Sequence, residues 1–184
     1  MLIKEQEDMI ARSLLTESKK LRIFDFDDTL VKTTSFIYIT HSEGKKSKLT
    51  PGQYAVYNEK PGDDFDFTDF NKVQDPKEIK GITKILKRIM NSSGGSGVYI
   101  LTARAAYKPI KQYLKDIGVN SNKIFVVALA SNNPKDKADW IEDKIDNEGY
   151  DDVYFADDST KNVDATKKML RGKDVKWRVQ HIKH

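Results

Sequence analysis

The chain contains no cysteine. Disulfide frameworks, thiolate metal sites and cysteine nucleophiles are therefore excluded, and the absence fits a reducing compartment. Histidine is nearly as scarce: His41, His181 and His184 are scattered, two of them at the end of the chain. That spacing argues against a histidine-rich zinc site and against a Ser-His-Asp triad. No stretch approaches the roughly 18 uninterrupted apolar residues of a membrane helix. The first twenty residues carry charges throughout and hold no apolar signal core, so a cytoplasmic protein without a membrane partner is expected.

What is present is the composition of a soluble globular chain, with 33% charged and 38% hydrophobic residues. At 184 residues it is expected to form a single domain with a proper core and room for a small insertion. The net charge of +4 falls short of a dedicated nucleic-acid binder, but its distribution is uneven. Lys45, Lys46 and Lys48 cluster in one short stretch, and lysines and arginines load the last twenty residues. Acid is concentrated over 63–69. Such runs ordinarily read as solvated surface.

Periodicity orders the rest. Residues 1–20 read as a leading amphipathic helix. A buried strand over 21–24 opens into Asp25-Phe26-Asp27-Asp28-Thr29-Leu30. Residues 33–75 form an insertion of different texture: a hairpin around Gly44, then a short helix entered at Thr50-Pro51, running through 54–57 and closed by Pro61-Gly62. A helix starting at Asp75-Pro76 follows, then strands over 98–101, 124–129, 153–156 and 175–182, alternating with helices over 107–117, 133–149 and up to about 170. Strands separated by helical crossovers imply an α/β fold, a three-layer, mainly parallel five-stranded sheet with helices on both faces. Ligands in such sheets bind beyond the carboxyl ends of the strands, and the polar motifs follow the first, second and fourth strands.

Three of those motifs and a lysine carry chemistry. Asp25 and Asp27 put two carboxylates on one tight loop, which calls for a cation with a taste for oxygen, magnesium above all. A carboxylate beside a metal-bound phosphate can attack phosphorus, and a second can protonate the leaving group and then activate water. Taken alone the loop reads equally as an Asx turn. Thr102-Ala103-Arg104 ends the second strand, where a hydroxyl and backbone N–H groups suit a phosphate oxygen or simply a helix cap. Asp157-Asp158-Ser159 ends the fourth strand and would complete an oxygen-only metal site, or again cap a helix. Lys135 and Lys137 open the preceding helix, and either could bring positive charge to the phosphate.

In this order the motifs resemble those of the haloacid dehalogenase (HAD) superfamily of phosphohydrolases, over roughly 21–170. The resemblance implies a Rossmann-like fold with an aspartyl-phosphate mechanism. Asp25 would be the nucleophile and a metal ligand. Asp27 would be the general acid/base and lend its backbone carbonyl to the metal. Thr102, with Ala103 and Arg104 beside it, would hold the phosphoryl group. Lys137 or Lys135 would neutralise charge, Lys137 being preferred because it lies one turn before Ile141 on the sheet-facing side. Asp157 and Asp158 would hold Mg2+. An aspartate at position 27 is similar to the phosphatase branch.

In that superfamily an insertion after the first motif caps the site. Here, over 33–75, it is too small for a lid domain. Its lysines and its aromatics Phe36, Tyr38, Tyr54 and Tyr57 could track a nucleic-acid backbone, or the rings could merely pack the flap on the body. Three readings follow: a phosphatase of nucleotides or polynucleotide ends, a phosphatase of a small metabolite or phosphoprotein, and a non-catalytic binding module.

Overall fold

The computed structural model describes residues 18–183, apart from positions 55 and 94. Five parallel strands make the central sheet: β1 (Lys20–Phe24), β7 (Val98–Thr102), β8 (Phe125–Ala128), β9 (Asp152–Asp157) and β10 (Lys176–His181). Their spatial order is β10-β9-β1-β7-β8. The chain leaves β1 toward one edge, then crosses back over β1 to build the other half. That reversal opens a crevice at the carboxyl end of β1.

Strand alternation sorts the core into two layers. Phe24, Val98, Ile100 and Ala156 point to one face and pack with Ile82, Leu86 and Met90 of α2 (Lys80–Ser93) and with Ile110 and Leu114 of α3 (Lys108–Asp116). Leu21, Ile23, Leu101, Val153 and Phe155 point to the other, against Ile141 and Ile145 of α4 (Pro134–Glu148) and Leu170 of α5 (Thr160–Leu170). Each fully buried large side chain contributes about 1.5–3 kcal/mol. Both faces of β1 are covered over its second half, so Ile23 and Phe24 are buried, while Lys20 is exposed at its start and Arg22 is half-buried against Asp152.

The helix ends follow local chemistry. Asn133 caps α4 by accepting from the Lys135 N–H, Pro134 occupies the first turn, and Gly149 closes it in the left-handed region at φ 71°. Ser159 caps α5.

The insertion is a separate three-stranded antiparallel sheet in the order β4-β3-β5, with β3 (Ile37–Thr40), β4 (Lys46–Leu49) and β5 (Asp64–Asp66). The β3–β4 hairpin is as expected. Its following helix, α1 (Pro51–Tyr54), is shorter than expected and does not run through Tyr57. Thr50 and Gln53 bond each other's backbone N–H reciprocally at its start. The acidic run is not merely solvated surface: Phe65 turns inward between Asp64 and Asp66, and this period of two makes a third strand.

The helix expected to begin at Asp75-Pro76 begins instead at Lys80. Asp75 stands at φ 41°, and the chain first pairs β6 (Lys77–Glu78) antiparallel with β2 (Val31–Lys32), stitching the two ends of the flap together. The leading helix falls on residues outside those described, and Lys20 already belongs to β1.

Candidate active site

Asp25 is the first residue past β1, and its N–H donates to the carbonyl of Ala156 at 2.9 Å. The ladder between β1 and β9 thus runs one step beyond the strand and brings the Asp25 side chain beside Asp157. Phe26 anchors the loop from below, fully buried and edge-on to Tyr113 at 5.6 Å. Asp28 takes φ 58°, a conformation aspartate tolerates better than most residues, and the chain turns back. The Thr29 hydroxyl then donates to Asp25 Oδ2 at 3.0 Å and accepts the Asp158 N–H at 3.1 Å, tying the first and last acidic loops together.

Lys137 stands on the first turns of α4 and shares its inward face with Ala138 and Ile141. Its Nζ donates to Asp25 Oδ1 at 2.6 Å and to Asp157 Oδ2 at 2.8 Å, with all three side chains buried. Lys135, two residues earlier, points to solvent and pairs with Asp139 along the helix. Of the two candidate lysines, Lys137 is the one that reaches the acids.

Among the described residues, Asp25, Asp157 and Asp158 each offer a carboxylate oxygen within 4.8 Å of one another. One lysine cannot balance three carboxylates. Burial pushes the Asp25 carboxyl well above its usual range, with Lys137 pulling it back and Asp157 and Asp158 adding to the rise. Burial, then Asp157 and Asp28, push Asp158 up to about 7. Burial works against the Lys137 charge too, but Asp157 and Asp25 outweigh it and hold its pKa above the usual lysine range. The group is thus short of positive charge, and its all-oxygen donor set fits a hard divalent cation such as Mg2+.

The three acids are not equivalent. Asp157 already accepts from Lys137, from the Ser159 N–H at 2.8 Å and from Asn162 Nδ2 at 3.0 Å, so it is locked. Asp27 does not join them with its carboxylate, which turns instead to Arg104.

Arg104 links the body to the flap. Nε and Nη2 donate to the two Asp27 oxygens at 2.8 and 2.7 Å, while Nη1 donates to the carbonyls of Phe70 and Lys72 at 3.2 and 2.8 Å. The guanidinium carbon lies 5.3 Å from the Phe26 ring centre and 4.7 Å from that of Phe70. Thr102, buried at the end of β7, accepts the Arg104 N–H on its hydroxyl at 3.1 Å. Ala103 is exposed beside it.

Asp25, Asp27, Thr102, Ala103, Arg104, Lys137 and Asp158 all line one cavity of about 250 Å³. The flap closes it with Ile37, Pro51, Tyr54, Phe67 and Phe70. Tyr54 and Phe67 meet edge-on at 5.4 Å, and Phe65 packs against both. Of the flap aromatics, Tyr54 and Tyr57 therefore pack with Phe65 beneath the sheet, whereas Tyr38 lies on its outer side, where the registry gives cross-strand rows Lys48–Tyr38–Asp66 and Lys46–Thr40–Asp64. The basic stretch faces acid on the same sheet face and is not an unopposed positive strip.

A Ser-His-Asp chain does occur, contrary to the expectation from the scattered histidines. His41 meets Asp63 Oδ1 at 2.7 Å through Nδ1 and Ser47 Oγ at 2.9 Å through Nε2. The flap fold brings the three together, and sequence spacing could not show it. Neither Ser47 nor His41 lines the cavity. Asp63 also accepts from the Tyr57 hydroxyl at 2.8 Å and the Lys60 N–H at 3.0 Å, so the cluster is a clasp for the flap.

Sequence reasoning assigned no role to Thr29, Asn162 or His181. Thr29 lay inside the first motif, and Asn162 stood three residues past the Ser159 cap. Arg104 was noticed without its partner Asp27. His181, which donates to the Asp158 carbonyl at 2.8 Å, could be found only from the parallel registry that sets it opposite Asp157. No helix among the described residues is long and apolar enough to cross a membrane. Compared with family models, curated proteins and solved structures, the chain matches none.

Proposed function

We propose that the protein is a Mg2+-dependent phosphatase of the HAD type, with Asp25 as nucleophile and a nucleotide or polynucleotide phosphate end as substrate. The observation that carries this reading is the Lys137 ammonium held between Asp25 and Asp157 at a sheet's carboxyl edge. A structural ion pair needs one acid. A lysine shared by two buried acids, with a third adjoining, suits a site built to receive both a cation and an anion.

Asp25 and Asp158 would hold the ion, with Asp157, both of whose oxygens already accept from Lys137, Ser159 and Asn162, as the third carboxylate beside it. Bound there, Mg2+ supplies charge neutralisation at the phosphoryl oxygens. An Asp25 carboxylate oxygen attacks phosphorus while the bond to the leaving oxygen breaks. Asp27, having taken up a proton from water on an oxygen released by Arg104, donates that proton to the leaving oxygen. Both its oxygens are engaged by Arg104, so one must disengage to act. Thr102 offers its hydroxyl to the phosphoryl group. In the second half, Asp27 takes a proton from water as the water oxygen attacks phosphorus. The bond to Asp25 then breaks, releasing inorganic phosphate and the free carboxylate. The apolar and aromatic roof of Tyr54, Phe67 and Phe70 suits a leaving group with a flat ring, which favours a nucleoside over a sugar or an inorganic chain.

Phosphate release from p-nitrophenyl phosphate and from a nucleoside monophosphate, with and without Mg2+, tests the reading. Mg2+-dependent release abolished by Asp25→Asn supports it, and turnover that survives Asp25→Asn overturns it.

A further inference from the structure

The reaction cavity does not end at the flap. Asn71, Ala105 and Ala106 line it and also line a second, larger groove of about 730 Å³. Beyond them the groove is lined by Lys72, Tyr107, Lys108 and Gln112, and by one acid, Asp116, which accepts from Gln112 Nε2 at 2.8 Å. We propose that this groove receives the nucleic-acid strand leading to the scissile phosphate, so that the substrate is a phosphate-terminated single strand and not a free mononucleotide. The inference rests on the phosphatase reading of the adjoining cavity.

Three observations support it. The first is size. The cavity, about 250 Å³, lies below the roughly 300–1,000 Å³ of small-molecule sites, so a substrate longer than one nucleotide continues outside it. The second is continuity through small side chains. Asn71, Ala105 and Ala106 line both spaces, and the two alanines put little bulk at the shared boundary. The third is surface chemistry. Lys72 and Lys108 are exposed, and neither is paired with an acid among the described residues. Tyr107, 47% exposed, lines the same groove. Free ammonium groups around an exposed ring are what single-strand recognition uses: charge for the phosphates, a flat face for a base. The flap lysines lack this arrangement, since their rows also carry Asp64 and Asp66.

The test uses fluorescein-labelled single strands carrying a 3′- or a 5′-phosphate, a phosphopeptide, and p-nitrophenyl phosphate. The proteins are the native chain, Lys72→Glu/Lys108→Glu and Tyr107→Ala. Anisotropy reads strand binding independently of turnover. The expected result is binding of one of the two strands, weakened about tenfold or more by either variant. The double variant should also lower the salt slope by about 1.4, two phosphate contacts on a single strand. p-Nitrophenyl phosphate turnover should stay within about twofold, because neither change touches the reaction cavity. Which strand binds assigns the polarity of the end. Equal strand binding by all three proteins overturns the groove while leaving the phosphatase standing. A phosphopeptide that alone responds to the variants overturns the nucleic-acid occupant. Variant-sensitive strand binding without any Mg2+-dependent turnover sustains the groove and overturns the phosphatase.

Discussion

The Asp27 carboxylate meets the Arg104 guanidinium through two hydrogen bonds of 2.7 and 2.8 Å, and the same guanidinium holds two carbonyls of the flap. The proposed acid/base is therefore tethered to the segment that roofs the cavity. Removing Arg104 leaves Asp27 without its counter-charge and two carbonyls without donors. Arg104→Ala should lower stability by about 3 kcal/mol, as expected for one lost partner of a largely buried pair. Arg104→Lys keeps the charge but not the two-pronged geometry, and should fall between. Urea denaturation midpoints of the three proteins check the order.

Lys137 should matter to chemistry as well as to fold. Lys137→Met keeps the side chain's length but removes the charge facing Asp25 and Asp157. Phosphate release should fall by roughly 10²-fold or more, as when one pre-placed charge is removed from a transition state. Lys135→Met, on the exposed partner of Asp139, should leave the rate within about twofold. Equal losses in the two variants would contradict the assignment of Lys137.

The acid cluster has a pH signature. Burial and its neighbours raise Asp158 to about 7, above the ordinary carboxylate value near 4. The folded state then binds more protons than the unfolded one between those values, so stability falls as pH rises from about 4 to 7 and stays lower above. Mg2+ should reverse that loss, adding about 2.7 kcal/mol at a hundredfold excess over its Kd. Asp158→Asn should raise the metal-free melting temperature at pH 8 and abolish the Mg2+ shift. Scanning calorimetry at pH 5 and pH 8, with and without Mg2+, separates these outcomes.

The flap should loosen in acid by a different group. The Lys60 N–H, the Tyr57 hydroxyl and His41 all favour the charged Asp63 and hold its carboxyl below the usual range. Its stabilisation is complete above the unfolded carboxylate value and lost as pH falls through the lower folded one. Asp63→Asn should mimic acid at neutral pH. Hydrogen exchange should then quicken at Thr40 and Lys60 and stay unchanged at Ile23 and Phe155.

Most of the body could be read from the sequence, because strand and helix periods there are set by burial on two faces. The short apolar runs ending in Asp25, Thr102 and Asp157 sat where the sheet ends, and Lys137 was preferred from its helix face alone. The flap was less legible. A strand of Asp64-Phe65-Asp66 carries one apolar residue, too little for a pattern, and is made a strand by its pairing with β3. His181 and the Ser47–His41–Asp63 clasp depend on registry between distant segments, which no local pattern encodes.

The pairing of β1 has a consequence for timing. Asp25 directly follows the central strand, whose neighbours β7 and β9 come much later in the chain, with β10 and His181 later still. During synthesis the N-terminal part emerges first and must wait for these distant partners. The nascent chain therefore carries Asp25, the proposed nucleophile, early but lacks the neighbours that hold it until β7 and β9 have emerged, and a chain released short of residue 176 would lack the His181 contact to the Asp158 carbonyl.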